Sequence, residues 1–436
     1  MKSALAIVAL LCAGPAAAAE TIALVGGTVH PVDAPDIARG TVLITGGRIT
    51  AVGADVAPPA GARIVDVSGK HVYPSLVAAS TRLGLVEITA VEETADVAEL
   101  GDINPEARAD LAMNLDSELL PVTRSAGVLV AGISPGGGLI SGAAAAMKLD
   151  GWTREDAVLK APSALVVSWP SLQIDRSPTA RFTVRLQEKR RDEALRKLKT
   201  AFADARGYAR ARSAEGKPGV PRHDFDPKLE ALLPALEGRV PVLVNAGSLR
   251  QIRAVLAWAE EEKLKVVILG GEDAWRAADE LAKARVPVVL DGVLSLPGRT
   301  DDAYDTAFSN AAVLAKAGVR VAFDISSPAF VRNLAHPAAV SVAYGLPKEV
   351  ALQAITLEPA RILGVDDRVG SLTAGKDATL FISDGDILDI RSKVVAAYLD
   401  GRALDLTDRH KRLYERYRGR PKPDAAGGLA GSASAR

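Results

Sequence analysis

Two neighbouring runs decide the fold: Pro359-Ala360-Arg361-Ile362-Leu363-Gly364, then Val369-Gly370-Ser371-Leu372-Thr373-Ala374-Gly375-Lys376-Asp377-Ala378. The second imitates the phosphate-binding pattern G-x-x-x-x-G-K. However, Asp377 stands where that loop needs Ser or Thr, and the run leads into a strand rather than a helix, so it is no nucleotide site. The strand it enters, residues 378–382, is followed by another at 393–399, with Gly385 and Gly401 as turn residues. A helical segment thus returns the chain to a small sheet.

The same texture opens the chain. Residues 22–25, 29–32, 41–44, 49–52 and 63–67 alternate or cluster apolar side chains, with Gly26-Gly27 and Gly46-Gly47 between them. Both ends therefore close one small β-sandwich, built from residues 20–73 and 366–405. The middle, residues 74–365, alternates strand and helix, which argues for parallel βα units. Eight strands are expected, at 72–79, 128–133, 143–149, 164–168, 241–246, 265–269, 286–290 and 319–324. Eight such units make a (β/α)8 TIM barrel with its site at the strands' C-terminal ends. Residues 178–216 read as a charged helix laced with ion pairs, and 406–436 as a terminal helix with a disordered tail.

Composition narrows the function. Lys+Arg and Asp+Glu each number 53 in 436 residues, so no overall field draws the chain to nucleic acid. Residues 1–19 read as a secretory signal: Lys2, an apolar stretch over 4–11, and Ala17-Ala18-Ala19 for cleavage. Cys12, the only cysteine, leaves with it, so no disulfide, zinc thiolate or thiol nucleophile is expected. Nor does any run reach the length needed for a membrane span. The expected location is a periplasm.

Three segments resemble the amidohydrolase superfamily, particularly its imidazolonepropionase- and prolidase-like branch. They are Gly69-Lys70-His71-Val72-Tyr73-Pro74-Ser75-Leu76-Val77, the Gly-rich stretch 132–151 with Ile140-Ser141-Gly142, and the 351–378 region quoted above together with Ala351-Leu352-Gln353-Ala354-Ile355-Thr356. The resemblance spans roughly residues 21–400. It implies the barrel-plus-sandwich fold and hydrolysis of non-peptide carbon–nitrogen bonds. It also implies a metal held by His-x-His on strand one, His on strands five and six, and Asp on strand eight, some branches adding a carbamylated Lys on strand four. Such a metal would lower the pKa of bound water.

The ligand positions are filled otherwise. His-x-His falls on Ser80 and Arg82, strand four offers Ser168, strand five ends in Asn245 and strand six in Gly270-Gly271. On strand eight Ser326 takes the Asp position, with Asp324 two residues earlier. The histidines, His30, His71, His223, His336 and His410, form no close pair along the chain, and only His336, which follows strand eight, is expected near the barrel mouth. A permanent cation at Arg82 also argues against a metal. No cofactor is expected.

Two further features need weighing. Gly136-Gly137-Gly138 could offer N–H groups to an anion but reads as a structural turn. The acidic stretch 87–118, with Glu87, Glu92, Glu93, Asp96 and Glu99, reads as a solvated lid over the mouth, although its carboxylates could support acid–base work.

The expectation is a degenerate amidohydrolase, a pseudoenzyme by its residues. It would bind a small molecule at Ser80, Arg82, Ser168, Asn245, Gly270, Gly271, Asp324 and Ser326, or pair as a homodimer or heterodimer with a related metal-bearing amidohydrolase. The alternative is an active hydrolase using a displaced or metal-free site. Strands one and eight are neighbours in a closed barrel, so Arg82 and Asp324 are expected to form an ion pair where the metal would sit.

Overall fold

The computed structural model describes residues 20–222 and 224–420. The expected signal, His223 and the tail from 421 lie outside the described residues. The N-terminal strands are β1 (Thr21–Val29), β2 (Ile37–Thr45), β3 (Arg48–Gly53), β4 (Arg63–Asp66) and β5 (His71–Pro74). The barrel strands are β6 (Leu76–Thr81), β7 (Val128–Ile133), β8 (Ile140–Lys148), β9 (Val158–Ser168), β10 (Val242–Ala246), β11 (Val266–Gly270), β12 (Val288–Leu290) and β13 (Val321–Phe323). The chain returns through β14 (Leu380–Ser383), β15 (Val394–Leu399) and β16 (Arg402–Ala403).

The two chain ends share one eight-stranded sheet. Antiparallel pairing of Leu380 with Pro74 and Ser383 with His71 joins β14 to β5. Its core packs Ile22, Leu24, Val42, Ile44, Val72 and Leu380. Gly26-Gly27 does not end a strand as expected. The pair sits in a bulge inside β1, where the pairing with β2 shifts register. The reason is steric: a Cβ on Gly27 would stand 2.9 Å from the Val67 carbonyl and 3.0 Å from that of Lys70. The turn from β4 to β5 therefore crosses β1 closely there. Gly46-Gly47 does form a tight turn, both residues at positive φ between Thr45 and Arg48.

The second sheet runs β6 to β13 in chain order. All eight expected barrel strands are present, but the third is reversed: β8 is antiparallel to both β7 and β9. Only residues 134–139 separate β7 from β8, and a parallel crossover needs about a dozen residues or more. The seam between β13 and β6 is bridged by the chain itself. Phe323 N–H donates to the Ala354 carbonyl (3.0 Å) and Val77 N–H to the Ile355 carbonyl (2.8 Å). The helix Leu357–Leu363 then plugs the bottom of this nearly closed barrel. Ile362 packs among Ala79, Ala164, Leu243 and Val267 in the interior, and Leu363 against Val77 and Val130.

The charged stretch forms one helix, Val184–Ala214, with Thr183 accepting the Leu186 N–H at its N-terminus. Leu198, Phe202, Ala205 and Tyr208 make its single buried stripe, and Phe202 meets Trp258 edge-on at 5.1 Å. The rest is solvated and ion-paired, as with Lys199 and Glu261 at 2.9 Å. Among the described residues no helix is long and apolar enough to cross a membrane.

Candidate functional site

A cavity of about 490 Å³ opens at the C-terminal ends of the barrel strands. It gathers Ser80, Arg82, Asn245, Gly270, Asp324 and Ser326, six of the eight residues expected there. Ser168 and Gly271 do not line it. Gly271 turns inward, where its carbonyl accepts the Asn310 side-chain amide at 2.9 Å. The Ser168 N–H is held by the Leu139 carbonyl at 2.9 Å.

Ser80 ends the inward row of β6, and its hydroxyl donates to Ser134 Oγ at 2.9 Å. Asn245, on β10, leaves its side chain open to the cavity. Asp324 follows β13 directly, its N–H donating to the Leu290 carbonyl at 2.9 Å. Its side chain is only 9% exposed, and Oδ1 receives no hydrogen bond from the protein. Burial pushes this carboxyl up to about 8, reinforced by the negative charge of Asp291, while the N–H groups of Ile325 and Ser80 work the other way. Asp324 is therefore largely protonated at neutral pH.

The expected ion pair between Arg82 and Asp324 does not form. Arg82 lies just beyond the last residue of β6, on the cavity wall. Its guanidinium runs beside the triglycine turn, where a Cβ on Gly136 would stand 3.0 Å from Nη2. Arg82 makes no hydrogen bond or ion pair with any described residue. Desolvation of Asp324 is instead relieved by holding its proton.

Asp291 was missed by the sequence reading. It immediately follows β12, and since Leu290 pairs with Phe323, Asp291 and Asp324 leave adjacent strands side by side. Both line the cavity. The signal was available, because Asp291 is the first residue after an expected strand. Glu87, Glu92 and Glu93 do not line the cavity. Glu87 is held by Ser117 Oγ at 2.9 Å and by the Asn114 amide at 3.3 Å, so it pins the 87–118 segment to itself.

Sequence distance also concealed one histidine pair. The parallel register of Val29 with Val72 brings His30 Nε2 within 2.9 Å of His71 Nδ1. His30 stacks on Tyr73 with centroids 4.1 Å apart, and burial pulls it below the ordinary histidine value despite Asp36 at 2.8 Å. This cluster precedes β6, at the end opposite Ser80 and Arg82. His336, in the helix Ala335–Ala343, does not line the cavity.

A nearly closed eight-stranded sheet, a second sheet made from both chain ends, and a polar cavity at the strand ends define a barrel-plus-sandwich fold. The amidohydrolase family model matches residues 272–406. An amidohydrolase of Thermotoga maritima superimposes with TM-score 0.78 at 26% identity, covering 88% of this chain and 99% of that one. A prolidase solved with N-methylphosphonate-L-proline gives TM-score 0.54 at 15% identity, over 88% of this chain and 99% of the other. Amidohydrolase tasK of Hapsidospora irregularis is 24% identical over 395 residues, covering 84% of this chain. This chain spans 40% of that relative's length. The chain belongs to the amidohydrolase superfamily.

The superfamily implies a metal, and the residues do not fit one. Hydroxyls, an amide, a glycine and a guanidinium stand where imidazoles and a carboxylate would be needed. The nearest anionic donors are Asp291 and Asp324, and the second holds its proton. Among the described residues no three His, Cys, Asp or Glu side chains converge to hold an ion.

Proposed function

We propose that this chain is a degenerate amidohydrolase that binds a small molecule at the barrel mouth without metal-dependent hydrolysis. The observation that carries the reading is the unpaired Arg82 at a ligand position, beside a cavity that stays open and polar rather than filled. A collapsed pseudosite would pack apolar side chains there. This one keeps convergent hydrogen-bonding groups, the usual mark of a ligand pocket. Residues 1–19 support export of the protein to a periplasm.

An assay of amide, urea and dipeptide hydrolysis after loading with zinc or manganese tests the reading. No turnover above the apoprotein is expected. Metal-stimulated turnover, abolished by Asp324→Asn, would establish an active hydrolase with a displaced site.

A second role, as partner subunit of a metal-bearing homologue, is favoured by exposed apolar side chains on loops after the barrel strands. Leu296 is 89% exposed, Ile88 55% and Phe330 52%. Such surface is what an interface covers. Independent elution of the two proteins after co-expression would count against this role.

A further inference from the structure

We propose that the barrel-mouth cavity takes a small zwitterion with well-separated charges, its anionic end on Arg82 and its cationic end on Asp291 and Asp324. This rests on the small-molecule-binding reading above and names its ligand class. Three observations converge on it.

The first is the state of Arg82. Around the segment after β12, Arg276 donates to Asp302 at 2.7 Å and Arg299 donates to Asp273, so those cations are committed to the fold. Arg82 faces its cavity with all its donors unused. A guanidinium is a planar fork of five N–H donors suited to carboxylate or phosphate oxygens. The backbone makes room for it: a side chain at Gly136 would crowd the guanidinium.

The second is the pair of carboxyls. Asp291 and Asp324 leave adjacent strands in register, which places their two carboxyl groups next to each other on the rim. The buried Asp324 Oδ1 has no donor from the protein, and the Asp291 carboxylate is engaged only by the Gly292 N–H at 2.8 Å. With the Asn245 amide on the same wall, the group offers the several acceptors that an ammonium's three N–H bonds require. A divalent metal would need further anionic ligands, which the wall does not supply.

The third is the distance between the two ends. Around the barrel, β12 and β13 carry the carboxyls, the seam and β6 follow, and the Arg82 guanidinium lies beside Gly136 in the turn after β7, out of ion-pair reach of both carboxyls. A ligand touching both ends must carry its charges several bonds apart.

Calorimetric titration with glycine, 4-aminobutyrate, 6-aminohexanoate and 8-aminooctanoate reads that separation. Each is set against the fatty acid and the alkylamine of matching length. One intermediate or long member should bind one per chain, at least about tenfold tighter than both of its singly charged analogues. Arg82→Met should reduce its affinity to that of the alkylamine. Asp324→Asn, or Asp291→Asn should the first variant fold poorly, should reduce it to that of the fatty acid. Equal affinity of zwitterion and analogues, or no binding by any member, overturns this proposal. The small-molecule-binding reading itself is tested by metal-stimulated hydrolysis and by zinc content, neither of which this titration measures.

Discussion

Asp324 carries a strong electrostatic signature. Its folded-state carboxyl titrates at about 8 instead of 3.8, with burial the main cause. In the unfolded chain the proton leaves in the ordinary carboxylate range, whereas in the folded chain it stays. The folded state therefore binds more protons across that window, and its stability falls as pH rises from about 4 to about 8. Melting curves across this range should show a loss of a few kcal/mol in the parent that Asp324→Asn largely removes. Parallel pH dependences in the two proteins would contradict the buried carboxyl with its raised titration. At this scale much was legible: Ser80, Asn245, Gly270 and Ser326 reach the cavity because each follows from its place at a strand end. The contact of Arg82 was not legible, since a long side chain beyond a strand end chooses its direction from its surroundings. It lay beside Gly136, not Asp324.

The elements obey local chemistry where connections are short. The reversal of β8 was written in the few residues after β7, which permit a hairpin and exclude a crossover. Counting strands without measuring their connections concealed it. Backbones also approach closely here: a Cβ on Gly132 would stand 2.4 Å from the Ala79 carbonyl and 2.7 Å from Leu363 Cδ2. Gly132→Ala should therefore destabilise by about 1–3 kcal/mol in chemical denaturation, and an unchanged midpoint would mean that β6 and β7 sit further apart. The long helix Val184–Ala214 separates its two faces in the same way. Phe202 is fully buried against Trp258, so Phe202→Ala should cost about 3–5 kcal/mol. Lys199→Ala, which breaks only the exposed pair with Glu261, should cost at most about 1 kcal/mol. Comparable costs would show that the ion pairs, rather than the stripe, hold the helix.

For the whole molecule, the decisive feature is an amidohydrolase-like framework around a mouth that lacks a converging set of metal-binding side chains among the described residues. The chain ends still meet at β5 and β14, and the helix Leu357–Leu363 still plugs the barrel. The mouth still opens into a polar cavity, yet its strand ends present hydroxyls, an amide and an unpaired guanidinium. The fold was legible because its signals, turn glycines and alternating strands, lie within short stretches of chain. The ligand was not, because charge placement across a cavity depends on contacts between residues far apart in sequence. The central claim is that this mouth has exchanged metal chemistry for ligand binding. Elemental analysis of the purified protein, equilibrated with zinc and then dialysed, tests it most directly. The account predicts far less than one zinc per chain, the same in Asp324→Asn as in the parent. About one zinc per chain, lost in Asp324→Asn or Asn245→Ala, would contradict it.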